Sequence, residues 1–214
     1  MQTEKGRCGF TLIELLVVIA VLAILMALVT PAMIRGIDYA KRTQCSAAMR
    51  NTMQAVVTYS ADHEFKLPGG DKTGDYGLWR GQFGWAQNHK WHIYDHIKPY
   101  IGMENAIANR QMVPQIACQA TWKRKLGSHG PIFLFSGDVD PGPGRFDAWG
   151  YPRSDSEPKN YEDAAKFGGL AFTDIDQSHP FINPSAGWFN NLAPNTSHGR
   201  RNAVFFDAHV ETLY

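Results

Sequence analysis

Net charge is nearly missing from this chain: 21 Lys and Arg stand against 20 Asp and Glu over 214 residues, a formal +1. A nucleic-acid partner calls for a basic patch or stripe, and none is written here. Cysteine is scarce, with Cys8, Cys45 and Cys118 alone. Ser136, Ser197 and the histidines form no pattern of nucleophile and base, and no run of His, Cys and acid has the spacing of a strong metal motif. These absences argue against an enzyme. With 20 Gly and 12 Pro, much of the chain is expected in turns and loops.

What is present is concentrated at the start. The leader MQTEKGRCG carries Lys5 and Arg7 and ends in Gly9; FTLIELLVVIAVLAILMALV follows, then Thr30-Pro31. An apolar run of about twenty residues is long enough to cross a bilayer as a helix. One carboxylate, Glu14, sits near its beginning, where an ionised acid is costly and therefore points to a function. A secretory signal has a shorter apolar core with its cut site after it. Here the glycine precedes the run, so the anchor is expected to stay on the mature chain.

Gly9, Phe10, Thr11, Leu12, Ile13, Glu14, Leu15 and Leu16 together resemble the signature of type IV pilins and type II secretion pseudopilins. The resemblance implies cleavage by a prepilin peptidase between Gly9 and Phe10 and methylation of the new N-terminus. It also implies that Glu14 pairs with the free amine of a neighbouring subunit's Phe10, fixing the register of helix against helix. An uncleaved single-pass anchor is the other reading of the same residues. Lys5 and Arg7 favour a cytoplasmic leader, while Arg35, Lys41 and Arg42 beyond the run work against that bias. The resemblance decides the orientation, with the C-terminal bulk periplasmic.

The helix is expected to run on through Pro31, because pilins carry a proline at the matching place, and to end near Asp62. Cys45, Met49, Met53, Val56 and Ser60 recur at spacings of three and four and predict one mainly apolar stripe. Cys8 would leave with the leader. Cys45 and Cys118 then remain as an even pair in an oxidising compartment, open to two readings, a disulfide or two buried thiols. The stretch from Arg42 to Pro68, with Tyr59, Asp62 and the Leu67-Pro68 exit, resembles a prepilin-like subgroup common in planctomycetes and their relatives.

Between residues 72 and 125 the aromatics crowd: Trp79, Phe83, Trp85, Trp91, Tyr94 and Tyr100. A short helix interrupted near Pro99 is expected there. Such rings fill a core or stack on sugars. Ile132–Phe135 and Leu170–Thr173 are strand candidates, separated by a Gly/Pro/Asp-rich loop. Asp138 and Asp140, followed by Gly142, faintly resemble a calcium loop without its closing glutamate, and Asp174–Asp176 is weaker still.

The last strand pair is expected at 203–206 and 209–213, turning on Asp207-Ala208 as a two-residue hairpin. His198, Asp207 and His209 resemble the subgroup's C-terminal processing-associated motif, with one residue less in the spacing and Ala208 where that motif has glycine. They are candidates for a metal site or, more simply, for hydrogen bonds that hold a loop to the hairpin.

The expected architecture is α+β, a long N-terminal helix packed on a small antiparallel sheet with long loops. Its layout is a leader over 1–9, a transmembrane and filament-core helix over 10–30, a continuing amphipathic helix over 31–64 and a globular domain over 65–214. The family resemblance implies a structural filament subunit of the bacterial inner membrane with no cofactor. Its partners would be prepilin peptidase, identical or related pseudopilin subunits and an inner-membrane assembly platform. The alternative from another class is a membrane-tethered carbohydrate-binding module.

Overall fold

The computed structural model describes residues 11–69, 78, 81–82, 92–103, 116, 118, 133–135, 148–150, 158–166, 169–179, 184–185, 189–192, 194 and 200–213. The chain divides into two units, Met1–Ala40 and Lys41–Tyr214.

Helix α1, Leu12–Asp62, contains Pro31 within it. Every residue from 11 to 40 is exposed, including Leu12, Ile13, Met26 and Leu28. So much bare apolar surface is normal for a helix whose solvent is lipid or other helices, and unsustainable in water. Pro31 removes one ladder donor. Just before it, the Thr30 hydroxyl donates to the Met26 carbonyl at 2.7 Å.

In the second unit α1 changes character. Cys45, Met49, Met53, Val56 and Ser60, the stripe expected from spacing, are all buried, joined by Ala48, Thr52 and Ala55. The helix ends in a six-to-one bond, the Phe65 N–H donating to the Ser60 carbonyl at 2.8 Å. Glu64 and Phe65 take left-handed φ values of 54° and 59°. This is the backbone of a Schellman close with glutamate where glycine is the usual choice.

Among the described residues five strands form one antiparallel sheet in chain order: β1 Gly81–Gln82, β2 Phe133–Phe135, β3 Leu170–Asp174, β4 Arg201–Phe205 and β5 Val210–Leu213. On β3 the consecutive residues Ala171, Phe172, Thr173 and Asp174 are all buried. Alternate side chains leave opposite faces, so both faces of this central strand are covered. Met49, Met53 and Val56 of α1 join Phe133, Trp149, Phe172, Val204 and Phe206 in one core cluster. The Trp149 indole N–H finds the Ala171 carbonyl at 3.1 Å, so its ring is buried without an orphaned donor. The expected interrupted helix is α2, Ile93–Ile97, followed by a 3-10 turn over Lys98–Ile101 with Pro99 in its first residues. Helix α3, Tyr161–Lys166, lies where no element was expected. Asn160 starts it by accepting the Glu162 N–H at 2.8 Å.

The last hairpin turns differently from the two-residue expectation. The Ala208 N–H donates to the Phe205 carbonyl at 2.9 Å, and the Phe205 N–H to the His209 carbonyl at 3.1 Å. Ala208 sits at φ 65°. This is a three-residue loop, Phe206 to Ala208, whose last residue is left-handed, rather than a turn with both Asp207 and Ala208 left-handed. Phe206 is drawn inward to bury against Trp149, ring centroids 5.5 Å apart, and that packing favours the longer loop. Ala208→Gly should still stabilise the domain, by about 0.5–1 kcal/mol, since glycine bears the left-handed conformation without the Cβ cost. A melting curve checks this; an unchanged or lowered midpoint would count against the turn.

Candidate functional site

At the N-terminus of α1 the Thr11 N–H and hydroxyl both donate to Glu14 Oε2 at 2.8 Å, and the Glu14 N–H reaches back to Thr11 Oγ1 at 3.4 Å. This is a capping box, Thr-x-x-Glu, in which two helix-end donors that would otherwise lack partners satisfy each other's residues. Glu14 is exposed and stands one helical turn into the apolar run, so its carboxylate is held by the chain itself. Gly9 and Phe10 lie outside the described residues.

Cys45 and Cys118 are disulfide-bonded, with Cα atoms 4.5 Å apart across 73 residues of sequence. Both are fully buried. The bond ties the segment around residue 118 to the helix near the start of the second unit. Thr52 lies two turns along α1 from Cys45; its hydroxyl donates to Ala48 O at 2.9 Å and lies 3.5 Å from Ile116 O.

At the C-terminal motif, Asp207 accepts the His209 N–H at 3.2 Å and contacts the His209 ring at Nδ1. The backbone donor of His209 holds the Asp207 carboxyl below its usual range. The His209 ring stacks on Phe205, 4.3 Å between centroids. Both Asp207 and His209 are largely exposed, and the arrangement locks the turn. His198 lies outside the described residues, as do Asp138 and Asp140 and, among the crowded aromatics, Trp79, Phe83, Trp85 and Trp91. Tyr94 belongs to the core and Tyr100 packs against its edge.

A buried polar cluster escapes sequence reasoning. Asp176 is buried and accepts from Ser178 N–H at 2.9 Å, Ser178 Oγ at 2.8 Å and Arg201 Nη2 at 2.9 Å. Asp174, also buried, accepts the Asn202 N–H at 3.1 Å. The weak calcium reading of Asp174–Asp176 meets a guanidinium at the second acid, and among the described residues no group of three His, Cys, Asp or Glu is placed to hold a metal. Only the Asp176-x-Ser178 turn was local enough to be read in advance.

His179 belongs to the same cluster. The Thr173 hydroxyl donates to Asp174 O at 2.8 Å and so accepts from His179 Nε2 at 3.1 Å. Burial, and secondarily the Arg201 charge, push the imidazole down to about 4, with Asp176 opposing. The neutral ring is therefore the folded form. Its stabilising contribution is complete above about pH 6.5, the unfolded value, and is lost as pH falls toward 4. We expect about 2 kcal/mol of stability to disappear over that window. Chemical melts at pH 7 and pH 4.5 check it: His179→Gln should flatten the difference, and an equally steep loss in that variant would assign it to other groups.

The N-terminal segment matches the family model described as the prokaryotic N-terminal methylation motif over residues 5–30. The chain thus carries the type IV pilin and pseudopilin signature, on the one helix among the described residues that is long and apolar enough to cross a membrane. No curated protein and no solved structure matches the chain. The resemblance at the C-terminus lies beyond the matched residues.

Proposed function

We propose that this chain is a structural filament subunit of the pseudopilin kind. It is inserted once in the bacterial inner membrane with its leader cytoplasmic and its C-terminal unit periplasmic. Prepilin peptidase cuts between Gly9 and Phe10 and methylates Phe10. An inner-membrane assembly platform then draws the subunit out among identical or related copies, and Glu14 meets the amine of a neighbour's Phe10. The role is architectural, with no reaction catalysed and no cofactor required. Assignment to a type II secretion-like apparatus rather than a surface pilus follows the resemblance of residues 42–68 to the prepilin-like subgroup.

The observation that carries this reading is the pairing of the methylation motif at residues 5–30 with a helix exposed along its whole apolar length. A head-to-tail contact repeated without closure yields a fibre, and a contact from Glu14 of one copy to Phe10 of the next is of that kind. Overexpression in the native host, followed by immunogold electron microscopy of sheared and membrane fractions, tests it. Labelled filaments are expected. A chain that stays dispersed in the membrane while the host assembles other filaments would overturn the proposal.

A further inference from the structure

Neither half of the Cys45–Cys118 bond exposes any surface: both residues are 0% accessible. Cys45 begins the buried stripe of α1, and Ala48, Met49, Thr52 and Met53 follow it into the interior. On the other side of the bond, Ile116 is buried as well. The Thr52 hydroxyl lies 3.5 Å from the Ile116 carbonyl, so the two segments touch beyond the sulfurs. Met49 and Ile116 both belong to the core cluster that also holds Phe172, Val204 and Phe206. Residues on both sides of the bond are therefore part of the one core that joins α1 to β3 and β4.

A disulfide is cut when a thiolate attacks one sulfur and expels the other, through a mixed disulfide, so the rate depends on access. With a dithiol reductant the mixed disulfide then closes into the reductant's own ring. The reductant loses two electrons and two protons, and the chain gains two thiols. A close-packed interior leaves no room for the attacking sulfur. Opening free energies run from almost nothing at loops and termini to the global value in the core. A bond with core residues on both sides belongs at the global end.

We propose that Cys45–Cys118 is a latch closed by the fold: a thiol reaches it only when the core of the second unit unfolds. The same path run backwards makes the bond. The two cysteines are thus joined before the core closes, by exchange with a protein or small-molecule disulfide that leaves reduced. The folded, oxidised chain then keeps its bond on meeting a reductant, and the fold sets the lifetime of the bond. The inference needs no filament and stands apart from the proposed function.

The test uses the full oxidised chain in lysophospholipid micelles with dilute dithiothreitol at pH 8, in native buffer and in denaturing urea. Alkylation at timed intervals and peptide mass spectrometry read the free thiols of Cys45 and Cys118. Reduction should be at least about a hundredfold slower in native buffer than in urea. Val204→Ala changes a core residue of β4 far along the chain from both cysteines. It should speed native reduction by about tenfold, in step with its lower midpoint in a urea titration. If Val204→Ala does not fold, the wild-type comparison still decides. A native rate less than about a hundredfold below the urea rate would overturn the proposal. So would a folded but less stable Val204→Ala chain reduced at the wild-type rate, since the sulfurs would then be reached by local opening.

Discussion

Replacing Glu14 with glutamine should abolish filament assembly as completely as replacing it with alanine. The cap with Thr11 is one job of this residue and the proposed assembly adds a second, and the pair of variants separates them. The capping box with Thr11 at 2.8 Å needs only an acceptor at the third helical position, which glutamine supplies. Pairing with a neighbour's terminal amine needs the negative charge. In the low dielectric of a helix bundle, an amine deprived of its partner costs roughly 3–5 kcal/mol per contact, a factor of more than a hundred in each association step. Alanine removes both functions; glutamine removes only the second. Filament yield by shearing and pelleting reads the difference. Normal filaments from Glu14→Gln, with none from Glu14→Ala, would reduce Glu14 to a helix cap and remove the electrostatic register from the mechanism.

Removing the Cys45–Cys118 bond should cost the second unit about 4 kcal/mol, the chain-entropy value for a loop closed across 73 residues. A domain of this size is stable by only about 5–15 kcal/mol, so such a loss would take a large share of the total. Both sulfurs are buried, and serine at either position would add a hydroxyl needing a partner. Cys45→Ala/Cys118→Ala is therefore the cleaner comparison. Urea titrations of the oxidised wild type and the double variant check the figure. A difference under about 1 kcal/mol would mean that the reduced chain is already held by its other contacts.

The legible parts of the fold are those whose physics is local. The stripe Cys45-Met49-Met53-Val56-Ser60 repeats at helical spacing, and every member is buried as that spacing requires. β2 and β3 stood out as short apolar runs between turn signals. β1 did not, because its two residues become a strand only through Gly81 and Gln82 pairing with Leu134 and Phe133. α3 is six residues long, too short for a periodic signal, and owes its start to Asn160. Trp149 sits in a Gly/Pro/Asp-rich stretch that reads as loop, yet is buried through the Ala171 carbonyl and Phe206. The turn at Asp207-Ala208 is legible in the sequence, but its third residue, Phe206, is not, because the pull on that ring comes from Trp149 across the core.

The candidate sites divide in the same way. Glu14 was visible because a carboxylate in an apolar run is conspicuous, whereas its bond to Thr11 is the ordinary chemistry of a helix start. The cluster of Asp174, Asp176, His179, Arg201 and Asn202 joins β3 to β4 across as many as 28 residues.

The measurement that tests the central claim most directly is the intact mass of the protein extracted from the membranes of its own host, with fragmentation of its N-terminus. Processing by prepilin peptidase would give a chain beginning at N-methylated Phe10. A chain still beginning at Met1, in cells whose prepilin peptidase is active, would contradict it and leave a tethered domain in place of a filament subunit.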